Sequence, residues 1–140
     1  MSKGGIGKWV CPTCGRNFAR KNQFHSCELY SIKDHHFKKG TSMSIEIYKK
    51  FISIFQNLGP ISIESLKNII ALKKNSQFCS IQIQKKALKI IFRLYTFFSS
   101  PRFNTMSQQD QMYYYQFKIQ KLDEINEELI NWMHQAYIEN

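Results

Sequence analysis

Residues 9–27 read WVCPTCGRNFARKNQFHSC, and four of them are of the types that hold a transition metal: Cys11, Cys14, His25 and Cys27. A tetrahedral ion such as zinc needs four soft or borderline donors, and Cys-x-x-Cys delivers two of them from one knuckle turn. Gly15, directly after the second cysteine, suits the tight or left-handed backbone that lets amides point at sulfur. His25 and Cys27 complete a Cys3His set, which predicts one structural Zn2+. Four protein donors leave no open position for a substrate, and the nearest acid is Glu28. His35 and His36 are rival fourth ligands, with Cys27 preferred because it is nearer and softer. Phe18 stands where a small ββα finger places its core aromatic, and Trp9 and Phe24 are expected to close the rest. A short helix is expected from about Ala19. It must end at His25, because residues two apart lie roughly 200° around a helix and cannot both ligate from one face. Such a stub is a poor reader of a major groove.

The chain offers little else with catalytic spacing. It has no P-loop, no GxSxG, no HExxH and no glycine-rich dinucleotide turn. Residues 41–120 hold only three acids, too few for a paired-carboxylate centre. Asp34-His35-His36 suggests a second metal site, but its polar surroundings favour solvated histidines. The expectation is therefore a protein without enzymatic activity.

Charge points to the partners. The formal net charge is +10, with eight Lys or Arg against two acids in residues 1–40, eleven against three in 41–120, and one against five in 121–140. A basic surface of this kind favours nucleic acid or another polyanion through counterion release. Arg16, Arg20 and Lys21 cluster on the finger and are the first candidates for phosphate contact. Lys73, Lys89, Arg93, Arg102 and Lys118 are the candidates in the rest of the chain. Arg102 follows Pro101 in a loop, where a guanidinium can grip a phosphate bidentately. The alternatives are a protein–protein adaptor with a purely structural zinc, and a small-ligand-binding or enzymatic α+β domain.

The elements that must position these groups follow from hydrophobic spacing. Residues 1–27 carry too few large apolar side chains to fold unaided, and 28–42 read as a polar linker, so 1–40 form finger and linker. Residues 41–140 form the second domain. A helix is predicted over 43–57, capped by Ser42 or Ser44, with Ile45, Tyr48, Ile52 and Phe55 at helical spacing; Gly59-Pro60 ends it. Alternation predicts strands at 78–84, 87–95 and 112–119, with QKK at 84–86 as a hairpin turn and shorter β-like runs at 61–63 and 68–73. Residues 97–110 read as a loop. A last helix over 124–138, capped by Asp123, carries Leu122, Ile125, Leu129, Trp132, Met133 and Ala136 as its apolar stripe. The fold class is α+β, an antiparallel sheet of about four strands with one helix before and one after it, both on one face. The outer face would display Lys89, Arg93, Tyr95, Tyr114, Gln116 and Lys118, a basic and aromatic mixture that suits single-stranded nucleic acid. Cys79, alone in an apolar run, is expected in the core. MSKGGIGK lacks the apolar stretch of a signal peptide and no run is long enough to cross a bilayer, so a cytoplasmic location and no membrane partner are expected.

The finger sequence resembles that at the N-terminus of many bacterial proteins of domain-of-unknown-function family 5655. NLGPISIES, Ser100-Pro101-Arg102-Phe103 and LDEINEELINWMHQAY carry the resemblance through nearly the whole chain. It implies a zinc-binding head followed by a compact α+β domain without an established activity. Related domains joined to nuclease-like modules imply a nucleic-acid setting by association. The family is expected to carry an arginine and a glutamine in the strand equivalent to residues 67–73. This chain reads KNIIALK there, which would pass that role to Lys73 or Lys74.

Overall fold

A computed structural model describes residues 9–140; the N-terminal stretch read for a leader lies outside the described residues. Ten regular elements follow in order: β1 (Trp9–Val10), β2 (Asn17–Phe18), α1 (Ser42–Ser53), β3 (Ser62–Ser65), β4 (Ile70–Lys73), β5 (Gln77–Ile83), β6 (Leu88–Leu94), β7 (Thr105–Gln109), β8 (Met112–Ile119) and α2 (Glu127–Glu139). β1 and β2 form a separate hairpin, and the other six strands make one antiparallel sheet in the order β3-β4-β5-β6-β8-β7. The sheet is thus six-stranded rather than four-stranded. The unexpected member is β7, TMSQQ, every residue of which is exposed. It has no apolar alternation to read, and it is held as an edge by pairing with β8.

The central strands follow their alternation. Register pairs Ile81 with Ile90, Cys79 with Phe92, Ile90 with Phe117 and Phe92 with Tyr115, all buried on one face. One departure is instructive. Leu72 pairs with Cys79 and Lys73 with Gln77, so Phe78 is skipped. This bulge brings Phe78 to the core beside Phe55 and Tyr137, where strict alternation with Cys79 would turn it to the other face. Cys79 is buried as expected, and burial pushes its thiol up, which leaves it inert.

α1 and α2 pack into the same core as that face. α1 is capped by Thr41, one residue earlier than expected: its Oγ1 accepts from the Ser44 amide while Ser44 Oγ accepts from the Thr41 amide at 2.8 Å. Ile47, Tyr48 and Phe51 form its buried stripe, and a 3-10 turn over Ile54–Asn57 keeps Phe55 inside. Gly59 has φ 146°, and a Cβ there would collide with the Tyr137 hydroxyl, which itself donates to Pro60 O at 3.1 Å. Only glycine satisfies both demands. α2 begins at Glu127 rather than Glu124, because Asn126, not Asp123, supplies the cap by accepting from the Leu129 amide. Residues Leu122–Glu124 form a separate 3-10 turn.

Arg102 ties the Pro101 loop to the start of α2. Its guanidinium donates to Glu124 O at 2.8 Å, Asn126 Oδ1 at 3.1 Å and Glu128 Oε1 at 3.2 Å, and it lies over the Trp132 ring. Those bonds engage the guanidinium within the fold. Arg102→Ala is expected to lower stability by about 1–2 kcal/mol in denaturant titration, most of it from the stranded carbonyl and cap, since the Glu128 pair is half in water.

The segment expected as a linker is ordered. The Tyr30 amide donates to Ser65 O at 3.0 Å, Ile32 and Phe37 pack on the core, and a π-type turn runs over Ile32–His36. The neighbouring histidines are not both solvated. His35 stacks on Tyr30 and donates from Nε2 to Lys67 O at 2.7 Å, whereas His36 is 1% exposed. Its Nε2 has no partner among the described residues, and burial lowers its pKa. Among the described residues, no helix is long and apolar enough to cross a membrane.

Candidate metal centre

The knuckle between β1 and β2 and the segment after β2 bring four candidate ligands to one point. Gly15, at φ 76°, closes the knuckle: its amide donates to Cys11 O and the Cys11 amide to Arg16 O, both at 2.9 Å. Cys11, Cys14, His25 and Cys27 offer ligand atoms that all lie within 4.8 Å of one another. Cys27 therefore belongs to the cluster and neither His35 nor His36 does. The helix expected from Ala19 is absent. Residues 19–27 run through bends and a turn, with Asn22 in the left-handed region at φ 56°, and so present His25 and Cys27 to the same point.

The spacing fits a tetrahedral ion. Metal–sulfur and metal–nitrogen bonds of about 2.3 and 2.05 Å imply edges of about 3.8 Å between sulfurs and 3.6 Å between sulfur and nitrogen. Cys11 Sγ and Cys27 Sγ are 3.7 Å apart, and His25 Nε2 lies 3.5 Å from the sulfurs of both Cys14 and Cys27. His25 Nδ1 lies 2.6 Å from Gln23 O, so it carries the proton and leaves the Nε2 lone pair for a metal. The Cys14 and Thr13 amides pull the Cys11 thiol down to about 6, whereas the neighbouring Cys11 sulfur pushes Cys27 up to about 11. Adjacent sulfurs cannot all ionise without a cation between them. A dication is what this donor set calls for.

The hairpin lies on the sheet face opposite the helices, over β3 and β4. Arg16 Nε donates to Glu64 Oε1 at 2.9 Å, and Lys73 Nζ meets Glu64 Oε2 at 3.4 Å and also bonds to Asn17 O. The three side chains are 10%, 6% and 7% exposed for Arg16, Glu64 and Lys73. Phe18 receives both cations on its ring, Arg16 at 4.8 Å and Lys73 at 4.4 Å. Burial lowers the Lys73 pKa, with Glu64 opposing it and the Cys14 sulfur adding to that opposition. With a dication bound, three thiolates would carry a net −1 and Glu64 another −1, and Arg16 and Lys73 would offset both. Arg16 and Lys73, both expected to meet phosphate, are paired with Glu64 where the hairpin meets the sheet. A cleft of about 640 Å³ opens along this seam between His25, Ser26 and Tyr30 on one side and the Leu66–Ile69 turn on the other.

The remaining basic candidates separate. Arg20 and Lys21 are exposed in the bend and turn that follow β2. Arg93 bonds to Asn140 Oδ1 at 2.7 Å and to Ser76 Oγ. Lys89 and Lys118 are direct cross-strand partners on the outer sheet face, with Arg93 opposite Tyr114 on the same face. Sequence reasoning missed Glu64, the acid that joins the two units. A lone acid in a short strand gives no signal of a partner 48 residues away.

These features define a small hairpin unit with a Cys3His cluster spaced for a metal ion, docked on an α+β domain with both helices on one side of an antiparallel sheet. Residues 33–140 match the family described as Domain of unknown function (DUF5655), and the chain belongs to that family. The match begins inside the segment expected as a linker and leaves the metal-binding hairpin outside it. No curated protein and no solved structure matches the chain.

Proposed function

We propose that the protein is a non-catalytic binding protein of the cytoplasm, contacting nucleic acid or another polyanion, and that its Cys3His centre holds one structural Zn2+. The observation that carries the binding reading is the outer face of β5, β6 and β8. Lys89 and Lys118 stand directly opposite each other there, an arrangement that costs energy unless an anion lies between them. None of the strands β5 to β8 contains an acid, and the helices pack on the other side. Tyr114, beside Arg93, adds an aromatic surface for base stacking. Zinc suits the centre because it accepts nitrogen and sulfur in a tetrahedron without redox change, and four side-chain ligands close it to substrate. A reducing compartment keeps the three thiols available.

Binding of a fluorescent oligo(dT) is expected at about 50 mM salt, falling steeply by 200 mM. Lys89→Glu with Lys118→Glu is expected to weaken it and to lower the slope against log salt by about 2. No binding at low salt, or an unchanged slope in the double variant, contradicts the reading.

A further inference from the structure

Phe24 is 94% exposed, although it sits next to a metal ligand in a hairpin that is short of apolar burial. The small core of that hairpin is built without it: Phe18 stacks on His25 at 4.2 Å, and Trp9 meets Phe18 at 6.0 Å and His25 at 6.1 Å. The expectation that Phe24 closes the finger is therefore overturned, and the ring is left facing water. Its loop is nonetheless held in shape. Arg20 Nε donates to Gln23 Oε1 at 2.8 Å, Gln23 Nε2 donates to Phe24 O at 3.1 Å, and Gln23 O accepts from His25 Nδ1 at 2.6 Å. Asn22 takes the left-handed turn that closes it. Gln23 thus joins three things: the guanidinium, the backbone of the bare ring and the imidazole of the metal centre. Among the described residues Arg20 uses only Nε, and Lys21 beside it is exposed with no partner.

We infer that this loop is a stacking site for one base of a single-stranded nucleic acid, with Phe24 as the platform and Arg20 and Lys21 on the adjoining phosphates. An exposed aromatic ring flanked by cations matches the chemistry of a nucleotide, which presents a flat π face beside a negative charge. An apolar protein partner would make no use of the two cations. The hydrogen-bonded loop lowers the cost of ordering the backbone that carries the ring. The inference rests on the polyanion reading above and specifies where one nucleotide sits.

The test is oligo(dT) anisotropy at low salt with Phe24→Ala, Phe24→Leu and Phe24→Trp, each checked for wild-type metal content and thermal midpoint. Full exposure of the side chain makes all three compatible with folding. Phe24→Ala is expected to bind about ten- to a hundredfold more weakly. Phe24→Leu stays weak because it lacks a π face, and Phe24→Trp restores binding and shows quenched fluorescence on the oligonucleotide. Wild-type affinity in Phe24→Leu overturns the inference, since any apolar group would then serve. Wild-type affinity in Phe24→Ala overturns it while leaving the Lys89–Lys118 face standing. Absence of binding by the unmodified protein overturns both.

Discussion

Replacing Glu64 with alanine is expected to destabilise the protein by about 3–5 kcal/mol, the cost of stranding buried charge. The carboxylate is the only acid that touches Arg16 and Lys73 among the described residues, and all three side chains are almost wholly buried. Without it, the Arg16 guanidinium and the Lys73 ammonium are left against the Phe18 ring with no acid beside them, and with the Ser26 and Asn17 carbonyls as their remaining acceptors. The hairpin can escape by lifting off β3 and β4, so the loss appears as undocking, lowered global stability or both. A fall of the thermal midpoint on the order of 10–20 °C follows. Replacing the whole triad by apolar residues, Arg16→Met with Glu64→Leu and Lys73→Met, is expected to recover most of the loss, because no charge is then left unpaired. A change below about 1 kcal/mol in Glu64→Ala would show that the ions do not hold the hairpin down.

Removing the metal is expected to unfold residues 9–27 and leave the central sheet intact. The hairpin has two strands of two residues each and no helix, far below what folds unaided. For such units the binding free energy of the ion, roughly 10–16 kcal/mol, is the folding free energy. Hydrogen exchange on chelated protein, or on Cys11→Ser with Cys27→Ser, is the measurement. The Cys11 and Gly15 amides, each in a 2.9 Å bond within the knuckle, are expected to lose their protection. Amides of β5 and β6, whose neighbours are other strands and the helices, keep theirs. Retained protection in the knuckle would show that packing on the sheet, not the ion, fixes the hairpin.

Much of the fold is legible where burial imposes a period. β5, β6 and β8 alternate because one face meets the helices, and α2 repeats its apolar residues at helical spacing for the same reason. β7 is not legible, since a wholly exposed edge strand need not alternate. The ligand set reads directly because its spacing is local. What joins the metal centre to the sheet does not read, because Arg16, Glu64 and Lys73 lie in separate segments and each looks like a solvated charge. Phe24 shows the converse: an aromatic beside a ligand suggests a core residue, and only the geometry of the Ala19–Phe24 loop turns it outward. The histidine pair also divides by packing alone, His36 inward and His35 against Tyr30.

One ion at Cys11, Cys14, His25 and Cys27 is proposed to organise the hairpin that docks on the sheet. Metal analysis of freshly purified protein, never exposed to chelator or oxidant, tests it most directly. Close to one equivalent of zinc per chain is expected, lost when Cys14 and Cys27 are both replaced by serine. Less than about half an equivalent in the unmodified protein, or full occupancy in the double variant, would contradict it.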